Sequence, residues 1–262
     1  CISRVRSMQL KARLEAVKHD VVVAADEYEV AAVTAQLHSI VSTDNVGALV
    51  TQEEMTKVYT DRMVKKGAPG RPIYDELLAS APHDRCPLCG QRVVSTLDHH
   101  LPKTCFPALV VTPINLVPAC ADCNKLKLDA VPQAAEEVML HPYFDEVDDA
   151  RWLYAEVIEK TPAGVRFYVV PHPSWDDVAR ARVEKHFSVL KLAALYSAQA
   201  AQELVSIRYY LSQLHDAGGA GVVREHLQEM AESTAHAHRN AWRTATYDAF
   251  AESAWFCNRG FA

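Results

Sequence analysis

The sequence predicts an α+β protein that is mainly α-helical, in which a small ββα module lies between helical regions and is followed by one β-hairpin. Apolar residues recur at steps of three and four over residues 4–39 and again from Ser174 onward, which is the period of an amphipathic helix. Two Cys-x-x-Cys pairs, with thirty residues between them, enclose a segment too small to fold without a staple. With 262 residues, 49% of them apolar, the chain can form one large or two modest domains.

The first predicted region, residues 1–83, is helical. Its apolar spacing predicts one long helix over residues 4–39, followed by turn-forming residues at 42–47. Thr51 and Glu54 have the spacing of a capping box, so a second helix is expected to run from there to about Lys66 and to end at Gly67. A short helix over 73–80 has Pro72 in its first turn.

Two regions follow the module. Residues 131–173 are predicted to form a linker with one β-hairpin, because residues 152–159 and 165–170 alternate in polarity around a turn at 161–164. Residues 174–262 are predicted to form a C-terminal helical bundle, interrupted at Gly218 and Gly219, with further helices over about 221–234 and 238–255. Its apolar stripes are typical of a bundle core rather than of a ligand surface.

The paired cysteines predict a zinc site in residues 84–130. Four thiolates hold Zn²⁺ in a closed tetrahedral site that adds folding free energy rather than chemistry. The module would contain strands over 93–99 and 115–119, a loop over 103–113 between them, and a helix over about 122–130. Cys1, Cys105 and Cys257 are expected to be plain thiols, with a sulfur near the zinc as the alternative for Cys105. The predicted zinc ligands are Cys86, Cys89, Cys120 and Cys123.

Polar residues with catalytic chemistry lie between and beside these cysteines. Asp98 and Asn124 offer oxygen ligands that suit Mg²⁺ or Mn²⁺, and such a cation can stabilise the leaving oxygen of a phosphodiester. His99 has a side chain whose usual pKa lies near neutrality, so it can deprotonate an attacking water. Asn115 could orient the imidazole or fix the loop.

These residues resemble the HNH, or ββα-metal, endonuclease family in its four-cysteine zinc form. The family pattern of CxxC, Asp-His-x-x-Pro, Asn and CxxCN matches residues 86–89, 98–102, 115 and 120–124. The resemblance implies that His99 is the general base, that Asp98 and Asn124 hold a catalytic divalent cation, and that Asn115 is structural. His100 is the alternative base if the register slips, but the spacing to Pro102 favours His99. The match covers residues 84–130, under a fifth of the chain.

The charge distribution bears on how such an enzyme would hold a substrate. The net charge of −6 comes from residues 131–262, which carry twelve basic and eighteen acidic residues, so strong binding of DNA by the whole chain is not expected. Lys103, Lys125 and Lys127 are predicted phosphate contacts, with solvated lysines as the alternative. A basic stretch before the module is either a substrate groove or a solvated helix face; it comprises Lys57, Arg62, Lys65, Lys66 and Arg71.

The biological role is predicted from a second, weaker resemblance. Residues 140–145, Leu-His-Pro-Tyr-Phe-Asp, resemble a segment that follows the nuclease motif in bacterial HNH proteins of anti-phage defence, some of which work beside an ATPase. This implies a DNA endonuclease that is the effector of an anti-phage or restriction system, with a possible ATPase partner. The alternatives are a non-catalytic zinc module that binds a protein or nucleic acid, and an RNase or tRNase using the same site.

The expected location is the cytoplasm. No run of about 18 apolar residues predicts a membrane span, so no membrane partner is expected. The first residues lack the apolar core of a signal peptide. Seven cysteines, four of them in Cys-x-x-Cys pairs, are typical of a metal site in a reducing compartment rather than of a disulfide framework.

Overall fold

The computed structural model describes residues 1–262 and divides into two compact units, Cys1–Asp145 and Glu146–Ala262. Eight α-helices and three two-stranded antiparallel sheets form the chain, which confirms the predicted α+β, mainly helical class. The predicted regions 1–83 and 84–130 both lie in the first unit, and the boundary between the units falls within the predicted linker 131–173. No helix combines the length and the apolar character that crossing a membrane requires.

The N-terminal region has two helices where the sequence predicted one. Helix α1 spans Met8–Ala16 and α2 spans Lys18–Val33, and the backbone leaves the helical conformation at Val17. The single-helix prediction is wrong, and the break lies close to where the chain passes from one core to another. Leu14 and Val17 belong to one cluster, against which Val21 in the first turn of α2 also packs, whereas Tyr28 further along α2 belongs to another.

The predicted capping box is confirmed and also joins two helices. A short hairpin of β1 (Asn45–Val46) and β2 (Val50–Thr51) leads into α3, Gln52–Tyr59. The Thr51 hydroxyl accepts from the Glu54 amide, and the Glu54 carboxylate accepts from the Thr51 amide. The same carboxylate pairs with both guanidinium nitrogens of Arg13, at 2.8 and 2.6 Å, and so fastens α1 to the start of α3.

Helix α3 continues into a turn of π-helix over Thr60–Val64, and α4 follows over Arg71–Ala79 with Pro72 in its first turn. The ββα module then consists of β3 (Thr96–His99), β4 (Leu116–Ala119) and α5 (Ala121–Lys127). The two strands pair antiparallel from Thr96↔Ala119 to His99↔Leu116 without a bulge. Helix α5 ends earlier than predicted, because Leu128 has a positive φ of 58°.

The module is embedded between the two apolar clusters of the first unit. Leu97, Val110 and Leu116 pack with residues of α3 and the π turn, including Tyr59 and Met63. Residues of the loop between the strands pack on the other side with α2; they are Leu101, Phe106 and Leu109. Because the strands are only four residues each, these helices supply most of the apolar surface that fixes the module.

The second unit contains the predicted hairpin and helices. Strands β5 (Leu153–Ile158) and β6 (Gly164–Val169) pair antiparallel in continuous register. Helices α6 (Asp177–Val189), α7 (Leu192–Ala237) and α8 (Trp242–Glu252) follow. The predicted interruption is confirmed inside α7, where Gly219 has φ 71° and ψ −165°. The two arms of α7 fold back on each other, since the rings of Tyr210 and His226 lie 5.1 Å apart.

Candidate active site

Four buried cysteines form a cluster whose sulfur atoms all lie within 4.8 Å of one another. A tight turn with Gly90 at φ 62° shapes the first pair, and the Cys120 sulfur caps the start of α5 by accepting from the Cys123 amide. Hydrogen bonds from the Cys123 and Cys86 thiols lower the pKa of the Cys89 thiol. Four soft sulfur donors at this spacing fit a structural zinc ion. Cys1, Cys105 and Cys257 lie outside the cluster.

His99 ends β3 and is held in one orientation. Its Nε2 lies 2.9 Å from the carbonyl oxygen of Val110, and its ring meets the Tyr59 ring edge-on at 4.6 Å between centroids. A carbonyl can only accept, so Nε2 carries the proton and Nδ1 carries the lone pair. Nδ1 makes no hydrogen bond within the protein and is not sealed from solvent. Burial lowers the pKa of His99 to about 3, so the imidazole is neutral at physiological pH.

Asp98 precedes His99 and is buried beside a lysine. Its Oδ2 is sealed from solvent and has no hydrogen-bond partner, while Nζ of Lys127 lies 3.1 Å away as an ion-pair partner. The same Nζ donates to the His99 carbonyl oxygen at 2.7 Å. Burial raises the pKa of the Asp98 carboxyl, and the charge of Lys127 opposes that rise. Of the two expectations for Lys127, a phosphate contact or a solvated lysine, the second is wrong, because its side chain is only 8% exposed.

The oxygen donors present here fit a hard divalent cation. Asn124 lies three residues before Lys127 on α5, and the spacing i, i+3 places its side chain on the same face of the helix as Lys127, which contacts Asp98. The carboxamide of Asn124 is half-buried and makes no hydrogen bond within the protein. The Asp98 carboxylate and the Asn124 amide oxygen are ligands of the kind that Mg²⁺ and Mn²⁺ prefer, although the Lys127 ammonium already lies 3.1 Å from the carboxylate.

Asn115 fixes the loop rather than the imidazole. Its Oδ1 accepts from the Leu101 amide at 2.7 Å, and its Nδ2 donates to the carbonyls of Leu101 and Leu109 at 3.1 and 3.2 Å. Of the two roles that the sequence allowed, the structure has the second. Asn115 nevertheless helps to position the imidazole indirectly. It holds the carbonyl of Leu109, and the next residue, Val110, supplies the carbonyl that accepts from His99.

The remaining predicted residues differ in their surroundings. His100 is buried, and its ring lies 4.2 Å from that of His141. Nζ of Lys103 lies 5.7 Å from the centre of the Tyr59 ring that also contacts His99. Lys125 is exposed and forms no ion pair. Lys103 and Lys125 thus form no ion pair with the protein, whereas His100 lies in a buried aromatic cluster.

Two contributions to the site come from residues that sequence reasoning did not assign to it. Tyr59 supports the His99 ring from α3, and nothing in its helical spacing signals that contact. His141, in the segment 140–145, bonds the Tyr28 hydroxyl at 2.9 Å and the Ile114 carbonyl at 3.1 Å, while Tyr143 donates to the Leu116 carbonyl at 2.9 Å. This segment therefore connects α2 to β4 by hydrogen bonds and stabilises the position of the module.

Comparisons with known proteins give one relevant similarity. The chain is 32% identical over 193 residues to Protein ea31 of Escherichia phage lambda. That alignment covers 69% of this chain and 64% of the phage protein, so the chain spans just under two thirds of its relative's length. No sequence profile of a known protein family matches the chain, and no solved structure matches it. The chain is thus similar to a phage protein whose name states no activity.

Proposed function

We propose that this chain is a metal-dependent endonuclease that hydrolyses phosphodiester bonds in DNA. The observation that carries the proposal is the state of His99, a neutral imidazole whose Nε2 proton is held by the Val110 carbonyl and whose Nδ1 makes no hydrogen bond within the protein. The carboxylate beside it and the amide of Asn124 supply oxygen ligands, and the cysteine cluster supplies a rigid base. This constellation on a ββα unit is typical of HNH nucleases.

The residues of the chain divide the chemistry between them. Nδ1 of His99 accepts the proton of a water that attacks phosphorus, and the Nε2 bond to Val110 keeps the ring aimed while the charge develops. Asp98 and Asn124 would hold the Mg²⁺ or Mn²⁺ ion, which when bound stabilises negative charge on the phosphate and on the leaving oxygen. Lys103 and Lys125 attract the phosphate backbone from the surface of the module.

A cleavage panel tests the proposal. The purified chain is incubated with Mn²⁺ or Mg²⁺ and with supercoiled plasmid, linear duplex, single-stranded DNA or tRNA. We expect divalent-dependent nicking of DNA that His99→Ala abolishes and that His83→Ala, an exposed histidine of the same unit, leaves intact. Cleavage of tRNA alone would favour the RNase alternative, and undiminished cleavage by His99→Ala would remove the general base from the proposal.

A second candidate function is a non-catalytic zinc module that binds a protein or nucleic acid. The observation in its favour is the ion pair of Asp98 with Lys127, which already supplies a positive charge to the carboxylate. This candidate predicts no cleavage with any divalent ion and binding that persists in His99→Ala. The role as an effector of an anti-phage or restriction system, with an ATPase partner in the cytoplasm, is proposed only from the resemblance of residues 140–145.

A further inference from the structure

A basic groove lies just past the end of α3, the helix whose last residue, Tyr59, contacts the His99 ring. It has a volume of about 420 Å³ and is formed by two separate stretches of chain, the N-terminal segment and the residues that follow α3. One acidic side chain, Asp61, lines it. Five basic side chains line it as well: Arg4, Arg6, Arg62, Lys65 and Lys66. None of these five forms an ion pair with a carboxylate of the protein, although the chain as a whole is acidic.

The N-terminal segment is built into the groove rather than trailing past it. Cys1, Ile2 and Val5 pack against the apolar cluster that contains Met63, so the intervening Arg4 faces outward. Arg4 donates to the Gly67 carbonyl at 2.9 Å and thereby closes the segment onto the loop after the π turn.

Gly70 shows how closely the two stretches approach. A Cβ atom at this position would lie 2.6 Å from the Cys1 sulfur and 2.8 Å from the Arg62 carbonyl oxygen. Contacts this short are essentially not found in proteins, and the Arg62 carbonyl is backbone that cannot turn away, so only glycine fits here beside the Cys1 side chain. The sequence alone showed the basic residues at 62–66 but could not show that Arg4 and Arg6 join them.

We infer that this groove binds the sugar-phosphate backbone of the nucleic acid that the proposed nuclease cleaves. Unpaired cations on two walls with a single acid between them attract a polyanion, and the spread of five charges exceeds what one phosphate can neutralise. The inference rests on the proposed function for the identity of the ligand, but binding does not depend on cleavage.

The position of the groove relative to His99 suits this assignment. Tyr59, which contacts the His99 ring, ends α3, and the chain continues without a break through the π turn to Lys65. The π turn over Thr60–Val64 spans less than about 10 Å, so a nucleic-acid strand held in the groove can continue toward the imidazole. The groove would fix the position of the nucleic-acid backbone, and the ββα module would cleave a phosphodiester bond further along the same strand.

The test measures the salt dependence of binding. The 262-residue chain with His99→Ala is titrated against fluorescent duplex DNA, single-stranded DNA and RNA from 50 to 300 mM KCl. The logarithm of the binding constant falls as the logarithm of the salt concentration rises, and each lost phosphate contact makes this slope shallower by about 1. Lys65→Gln with Lys66→Gln should therefore make it shallower by about 2. Arg4→Gln with Arg6→Gln should act in the same way, which guards against the failure of one pair to fold. The control pair is Lys18→Gln with Lys185→Gln, two exposed lysines outside the groove.

The outcomes separate this inference from the proposed function. A reduced slope in both groove variants, with an unchanged slope in the control, supports the groove even if the wild type cleaves nothing. An unchanged slope in the folded groove variants overturns it even if the wild type cleaves DNA. Absence of binding to all three nucleic acids at 50 mM KCl also overturns it. Preference for RNA over DNA would keep the groove and change the substrate of the nuclease.

Discussion

Among single residues, Lys127 has the most consequential position, because its ammonium group is the charge partner of the buried Asp98 carboxylate. We predict that Lys127→Met destabilises the metal-free chain by about 3–5 kcal/mol, the usual cost of leaving one partner of a buried ion pair alone. A divalent cation that binds Asp98 would supply the missing charge, so Mn²⁺ should raise the melting temperature of the variant more than that of the wild type. Thermal melts with and without Mn²⁺ measure both effects.

The matched control is Lys125→Met, which removes an exposed lysine two residues earlier on the same helix. Its melting temperature should differ little from that of the wild type, since exposed charges contribute little to stability. An equal Mn²⁺ shift in the wild type, Lys127→Met and Lys125→Met would show that the cation does not bind at Asp98.

His99 gives a second prediction at this scale, which concerns stability against pH. Burial lowers its pKa from 6.5 to about 3, so between these values the unfolded chain binds a proton that the folded chain excludes. The free energy of unfolding therefore falls as the pH drops below 6.5, by about 2 kcal/mol at pH 5. His99→Gln keeps a donor for the Val110 carbonyl but does not titrate. Urea unfolding at pH 7.5 and pH 5 should show the larger loss in the wild type, and equal losses would contradict the assigned burial.

The ββα module is the element on which the site depends, and its four cysteines are its staple. We predict one zinc ion per chain and a fall in melting temperature of more than about 10 °C in Cys120→Ser, because a structural zinc contributes several kcal/mol to folding. Cys105→Ser removes a half-buried thiol of the same module outside the cluster and should keep the zinc. Metal analysis and thermal melts of both variants decide the matter. Full zinc content in Cys120→Ser would contradict the four-cysteine site.

Features of the module that depend on residues close together in the sequence could be predicted, and features that depend on residues far apart could not. Cysteine spacing and the polar residues beside Asp98 are local patterns, so the cluster, the two strands and the helix could be read from the sequence. The contact of His99 with Tyr59 could not be predicted, because Tyr59 lies forty residues earlier and its helical spacing only indicates that it is buried. The break at Val17 was missed for the same reason, since one apolar stripe suits either a single helix or two helices.

Over the whole molecule, the chain divides where two sets of contacts end. The segment 140–145 is bonded to α2 and β4 of the first unit, for instance by His141 to Tyr28. The residues directly after it are bonded to the second unit, where Asn240 contacts the Ala150 carbonyl and the Trp152 amide at 2.9 and 2.8 Å. The cysteine cluster, the candidate catalytic residues and the basic groove all lie in the first unit, and the acidic surplus after residue 130 is shared between the end of that unit and the second unit.

This division predicts that each unit folds by itself. A fragment of residues 1–145 should bind one zinc ion and unfold cooperatively, because its two apolar clusters and its module are complete within it. A fragment of residues 146–262 should be helical and contain no zinc, since its one cysteine, Cys257, is buried apart from the cluster. Circular dichroism and metal analysis of the separate fragments measure this, with a break after residue 130 as the comparison. That shorter N-terminal fragment lacks His141 and Tyr143, so it should be less stable than 1–145, and equal stability would show that the 140–145 segment does not buttress the module.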